Sequence, residues 1–313
     1  MARADADTPR ARALRTQHGA EGLAARLPPL LVAAERVAAT VAQGVHGRRR
    51  VGAGETFWQF RRYVAGDSTQ RIDWRQSAKG RHVFVRENEW EAAQSVWLWR
   101  DASPSMAWRS APDLPTKRER ADLLTLAVAV LLVRGGERFA LMGRGRAPAG
   151  NAVALNRAAL DLIGDPDGRD GTADGRREDG GPGGLPPDLP LPRHASVLLV
   201  GDFLSPLASV NEAVGTMARR GVRGHLLQVL DPAEETLPFG GRVEFEGLEG
   251  EGDLLVPRVE AVRTAYQEKL AAHRAGLESI ARAAGWTFLT HRTDRPPQAT
   301  LLALWGALAR EPV

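Results

Sequence analysis

The stretch Ser95-Val96-Trp97-Leu98-Trp99-Arg100-Asp101-Ala102-Ser103-Pro104-Ser105-Met106 decides the fold. Its first half mixes β-branched and aromatic residues, the composition of a buried strand. The run stops at Asp101 and passes into a turn of Ala, Ser and Pro. A second run, Ser196-Val197-Leu198-Leu199-Val200, ends the same way at Gly201-Asp202-Phe203-Leu204-Ser205. Working outward, residues 138–142, 225–229 and 286–289 read as further strands. Helical spacing covers 117–133, 153–163, 210–220, 259–284 and 300–309. Strands that alternate with helices imply right-handed crossovers and a parallel sheet. The expected fold class is α/β, a doubly wound, mostly parallel sheet with a smaller β-rich N-terminal subdomain.

Before that core the pattern differs. Residues 1–25 are Ala, Arg and Asp without period and read as a loose tail. From Pro28 a helix is expected, with Leu30, Val37 and Val41 on one face and Gly44 and Gly47 ending it. Residues 71–74 and 82–86 are β-prone and joined through Ala78-Lys79-Gly80-Arg81, which predicts a hairpin. The expected domains are the tail 1–25, an N-terminal helix and β-rich subdomain 26–94, and the α/β domain 95–313. Within the last, residues 164–193 hold 8 Gly, 6 Pro and 6 Asp and read as a flexible surface insertion.

Composition removes several function classes. The 313 residues include no cysteine, which excludes disulfides, thiolate zinc sites, iron–sulfur clusters and cysteine nucleophiles. The longest apolar run, Leu123 to Val133, is shorter than the roughly 20 residues a membrane span needs, so a buried helix is expected there. No apolar stretch precedes a small-residue cleavage site near the N-terminus, so no secretory signal is expected. A cytoplasmic location fits, with any membrane association peripheral and through a partner. Residues 1–100 carry 17 basic and 10 acidic side chains, whereas the remainder carries 25 and 28. Of the 42 basic residues, 39 are Arg.

The strand ends carry the chemistry. Ligands bind beyond the carboxyl ends of the strands of a doubly wound sheet, at the switch point. With the strand order 3-2-1-4-5-6, Asp101 and Asp202 end neighbouring strands there. Asp101, Ser103, Ser105 and Asp202 then offer oxygen ligands alone, which suit a hard cation, Mg2+ or Mn2+. The same residues also read as a strand terminator and caps of the next segment. Asp-x-Ser-x-Ser resembles the metal-ion-dependent adhesion site of von Willebrand factor A domains, in which a partner's carboxylate completes the coordination. The resemblance implies a von Willebrand factor A-like core and metal ligands at Asp101, Ser103, Ser105 and Asp202. That family also uses a middle-loop Thr, for which this chain has no counterpart; Asn151, just before a helix, is the nearest substitute.

A second motif series lies upstream. Val51-Gly52-Ala53-Gly54-Glu55-Thr56-Phe57 leads to Arg61-Arg62-Tyr63-Val64-Ala65-Gly66-Asp67, then to Arg71-Ile72-Asp73-Trp74. This ordered series resembles the family of domain of unknown function 58, from about Val51 to the C-terminus. Thr56, and Ser68 in place of a second Asp, depart from the family pattern. From the residues alone, Arg61, Arg62, Asp67, Arg71 and Asp73 form either a structural ion-pair network or, with Trp74, a partner-docking surface. The resemblance implies a partner, a MoxR-type AAA+ ATPase, and chaperone-like maturation of a client protein.

Catalytic motifs are poor. No His-Glu-x-x-His, Gly-x-Ser-x-Gly or P-loop occurs, and the seven His are scattered. The expectation is a non-enzymatic, metal-dependent protein-interaction module. Its rivals are a metal-dependent phosphatase or hydrolase using the acidic crevice, a metal-free scaffold, and a nucleic-acid or membrane-surface binder driven by the basic first hundred residues. Arg48-Arg49-Arg50 is too short a basic run to argue for nucleic acid.

Overall fold

The computed structural model describes residues 29–42, 57–63, 72–79, 82–88, 95–164, 184–249 and 252–309. The chain divides into two compact units, residues 47–94 and the rest.

The first helix, α1, covers residues 29–42. Sequence reasoning grouped it with the β-rich segment. In the structure its buried Ala34, Val37, Ala38 and Val41 join the core of the α/β unit. An apolar stripe at helical spacing has to be covered, and the large core offers more apolar surface.

In the smaller unit, β1 (Phe57–Arg62) pairs antiparallel with β2 (Phe84–Asn88). The expected hairpin between 71–74 and 82–86 does not form as such: the partner of the second strand is β1. Ile72 makes only an isolated bridge, and α2 (Trp74–Ser77) is one helical turn. Local hydrogen bonding outcompetes the strand. The Ser77 hydroxyl donates to the Asp73 carbonyl at 2.7 Å and accepts the Phe84 N–H at 2.9 Å.

The larger unit is a doubly wound sheet of five parallel strands. They are β3 (Ser95–Arg100), β4 (Arg138–Leu141), β5 (Ser196–Gly201), β6 (Arg223–Leu230) and β9 (Thr287–Arg292). Their spatial order is β4-β3-β5-β6-β9, every neighbouring pair being parallel. Counted within this sheet the order is 2-1-3-4-5, not 3-2-1-4-5-6. The junction that matters survives the correction: β3 and β5 are neighbours, and the chain reverses direction between them. That junction is the switch point.

Alternation along the buried strands sorts the two faces. Leu98, Leu198, Val200, Leu227 and Val229 pack under α1, α3 (Lys117–Arg134), α4 (Ala152–Gly164) and α8 (Pro297–Leu308). Trp99, Val197, Leu199 and Leu226 pack under α5 (Leu207–Arg219) and α7 (Val259–Ala283). α3 contains the long apolar run and is buried along most of its length, as its sequence requires. A capping box opens it: the Thr116 hydroxyl accepts the Glu119 N–H at 3.1 Å, and the Thr116 N–H donates to the Glu119 carboxylate at 2.9 Å.

Further elements of the larger unit escaped the sequence reading. A short helix, α6 (Pro232–Thr236), follows β6, and β7 (Val243–Phe245) and β8 (Leu254–Val256) form a hairpin before α7. The expected insertion also shrinks. Leu185, Leu189 and Leu191 pack on the α5/α7 side of the core, so residues 184–193 are part of the folded unit. Residues 165–183 lie outside the described ones. Three leucines among the prolines were the overlooked signal: apolar side chains anchor a segment that Gly and Pro alone would leave loose.

Candidate functional site

The β3–β5 register places Trp99 beside Leu199 and Arg100 beside Val200. Asp101 follows, its N–H bonded to the Val200 carbonyl at 2.8 Å. It lies against Gly201, where a Cβ would fall 2.8 Å from that of Asp101. Only glycine allows the two strand ends to approach so closely.

From this point the chain folds Ser103 and Ser105 back toward Asp202. The Ser103 N–H donates to Asp101 Oδ1 at 2.8 Å. Pro104–Ala107 form one 3-10 turn, anchored by the fully buried Met106. The Ser103 and Ser105 hydroxyls lie 3.1 Å apart, and Ser105 Oγ donates to Asp202 Oδ2 at 2.7 Å. The four strand-end residues singled out in the sequence therefore meet in one cluster. Asp101, Ser103 and Asp202 are buried.

The turn after Asp202 is strained. Phe203 adopts a left-handed φ of 51°, unfavourable for a bulky residue. Its ring is buried and packs on Trp99 at 6.2 Å, and its carbonyl bonds His273 at 2.7 Å. Gln228 Nε2 holds the Asp202 carbonyl at 2.9 Å.

Asp101 is the electrostatically unusual member. Burial, with the nearby Asp202 charge, pushes its carboxyl up to about 6; hydrogen bonding from the Ser103 N–H and hydroxyl opposes the shift. Its Oδ1 accepts that N–H, whereas Oδ2 is buried without a hydrogen-bond partner. A buried carboxylate oxygen left unpaired is costly, and a cation is one way to satisfy it. The flanking wall is Gly184, at φ 89°, where a Cβ would lie 3.3 Å from Asp101 Oδ2 and 3.3 Å from Ser205 Oγ.

Sequence reasoning missed Lys117. Its ammonium is buried and donates to Asp202 Oδ2 at 2.9 Å and Glu234 Oε1 at 2.5 Å. Burial works against the charge, but the Asp202 and Glu234 carboxylates outweigh it and hold the amine above its ordinary value. A signal existed. Lys117 is one of three lysines and sits at the first position of α3, where a cation opposes the helix dipole. A lysine there needs compensating carboxylates.

Asp231, at the end of β6, was also missed, and its role is structural. Its Oδ1 accepts the Ala233 N–H at 2.8 Å and caps α6, and its Oδ2 accepts the Ser110 N–H at 3.0 Å.

Asn151 does not join the cluster. Its side-chain oxygen accepts the Ala154 N–H at 2.9 Å, so it caps α4 from an exposed position. This corrects the expectation that it substitutes for a middle-loop Thr. A helix start following Gly150 favours a capping Asn for local reasons alone. Of the upstream residues, Asp67, Arg71 and the Arg61 side chain lie outside the described ones. Arg62 is exposed, Asp73 half-buried, and Trp74 is 67% exposed.

The family described as "Protein of unknown function DUF58" matches residues 59–276. The chain belongs to that family. An uncharacterized protein of Mycobacterium tuberculosis, Rv1480, is 28% identical to this DUF58 protein over 287 residues, spanning 87% of this chain and 86% of its own. The uncharacterized protein Mb1516 of Mycobacterium bovis is similar to the same extent. Among solved structures, the conserved hypothetical protein BatB from Bacteroides thetaiotaomicron is 14% identical, with a TM-score of 0.39, covering 70% of this chain and 100% of that one. An aerotolerance-related membrane protein from Bacteroides fragilis gives 14%, 0.39, 69% and 98%. Among the described residues of the DUF58 chain, no helix is long and apolar enough to cross a membrane.

Proposed function

We propose that this DUF58 protein is a non-enzymatic interaction module with a von Willebrand factor A-like core and a divalent cation, Mg2+ or Mn2+, at the β3–β5 switch point. One observation carries the reading: the buried, unpartnered Asp101 Oδ2, in a cluster that also holds two serine hydroxyls 3.1 Å apart. The residues fit an ion. Cis ligands of an octahedral ion bound at about 2.1 Å lie about 3 Å apart, and the two hydroxyl oxygens are separated by 3.1 Å. Asp101, Ser103 and Ser105 would hold the cation, with Asp202 steadying Ser105 from behind. Among the described residues, no three His, Asp or Glu side chains are grouped to hold a metal. A site built on one carboxylate and two hydroxyls is correspondingly weak.

Such an ion supplies an open position for an acidic group on a partner. The protein's own residues orient that position and keep it at the mouth of a rigid sheet. The family resemblance suggests a MoxR-type AAA+ ATPase as partner and maturation of a client protein as the task, in the cytoplasm. The exposed Trp74 supports a second contact surface, since tryptophans are common hot-spot residues. The experiment is co-purification of the chain with a MoxR-type ATPase. Asp101→Ala replaces chelation, because the ATPase needs its own Mg2+. Retention of the ATPase by the wild type and loss in the folded variant is expected. Equal retention by both would overturn the reading.

A further inference from the structure

Lys117 is the feature that the ion-site reading does not use. A divalent site gains affinity with each carboxylate it recruits. Of the two strand-end carboxylates, Asp202 is already neutralised from within. Asp202 Oδ2 accepts both the Lys117 ammonium, at 2.9 Å, and the Ser105 hydroxyl, at 2.7 Å. Glu234 Oε1 closes the other side of the ammonium at 2.5 Å. Glu234 is itself fixed, since its Oε2 accepts the Asp231 N–H at 2.8 Å. The lysine side chain is 1% exposed and cannot swing into solvent. The positive charge is therefore a permanent part of the wall, two hydrogen bonds away from Ser105 Oγ. A fixed cation within a few ångströms of a bound cation opposes it strongly in a buried setting.

We infer that Lys117 is an internal counter-cation that keeps the site's affinity for a divalent ion low, so that the ion is retained only when a partner's carboxylate adds the missing charge. The inference rests on the ion-site reading above and assigns its regulation. Ion and partner then bind as a coupled pair, each raising the affinity for the other by the same factor. The chain alone stays largely unloaded at modest ion concentration, and does not compete for acidic groups in general. Asp202 serves the lysine and Ser105, and the carboxylate oxygen left without a hydrogen bond is Asp101 Oδ2, with the two serine hydroxyls as co-ligands.

The test is calorimetric titration of the full chain with MgCl2 and MnCl2. Wild type is compared with Lys117→Met and with Lys117→Met/Glu234→Gln. The double variant preserves net charge and removes one of the two carboxylates that the single variant leaves buried and unpaired, which protects against loss of folding. Circular dichroism checks the fold of each. The expected result is weak binding by the wild type and at least about tenfold tighter binding by the folded variants. Addition of Asp101→Ala to either background abolishes it. Equal affinity in wild type and variants would overturn the role of Lys117 and leave the ion site standing. Absence of binding in every folded form would overturn the ion site, and this inference with it.

Discussion

Ser105 Oγ donates to Asp202 Oδ2 at 2.7 Å, joining loops that leave neighbouring strands from positions 97 residues apart. The bond fixes the second loop hydroxyl against the wall that Lys117 braces. Ser105→Ala removes a hydrogen bond worth about 1 kcal/mol and leaves Asp202 with its lysine. We expect urea unfolding to show a loss of about 1 kcal/mol with an unchanged slope. Ion binding, measured separately, should fall with it.

Asp101 is expected to reduce stability when no ion is present. Its carboxyl titrates near 6 in the fold against an ordinary 3.8, so the folded state binds a proton more tightly than the unfolded chain. Stability from this group rises as pH falls from about 6 to 4, and the ionised form disfavours folding above 6. Asp101→Asn keeps an acceptor for the Ser103 N–H and removes the charge. In ion-free buffer at pH 7.5 the variant should be more stable by about 1–3 kcal/mol, the advantage shrinking toward pH 4. A less stable variant in thermal melts at pH 7.5 would contradict this.

His225 and His291 act in the opposite direction. Burial holds both near pH 4, each ring bonded through Nδ1 to a threonine, Thr287 at 2.7 Å and Thr300 at 2.8 Å. Arg120 adds to the shift at His291. Between pH 6.5 and 4 the unfolded imidazoles take up protons that the folded ones refuse. Stability is therefore lost on acidification through that window, by up to about 3 kcal/mol for each ring. His225→Gln should remove its share, read as a shallower fall of Tm with pH. The Asp101→Asn background shows the effect best, because the Asp101 contribution then no longer offsets it.

Gly224 has no room for a side chain. A Cβ there would lie 2.2 Å from Trp286, whose indole N–H donates to the Val222 carbonyl at 3.1 Å. Gly224→Ala should destabilise by about 1–3 kcal/mol through overpacking between β6 and the start of β9, seen as a lower urea midpoint. Gly221→Ala has open space at its Cβ, so any loss there reports its φ of 79° alone.

The five strands of the parallel sheet were visible in the sequence because they are largely apolar runs with abrupt polar ends. Asp101, Ser103, Ser105 and Asp202 were visible because those ends sit beside each other in a doubly wound sheet. Strand order was not readable, since it depends on which side of β3 each crossover falls. The turn at Trp74–Ser77 was hidden because Ile72 and Trp74 alternate with polar residues like a strand, while the Ser77 hydroxyl decides the local conformation. Lys117 and Glu234 are 117 positions apart, and nothing in either local stretch announces the other. A buried ion pair is a property of the folded packing, so sequence could flag the lysine but not its partners.

The central claim is that Asp101 holds a divalent ion. Mn2+ titration followed by electron paramagnetic resonance of the free aqueous ion tests it directly, comparing wild type with Asp101→Asn. The account predicts one weakly bound Mn2+ per wild-type chain at saturation, and none in the folded variant. Equal depletion of free Mn2+ by both proteins, or no depletion by either, would contradict it.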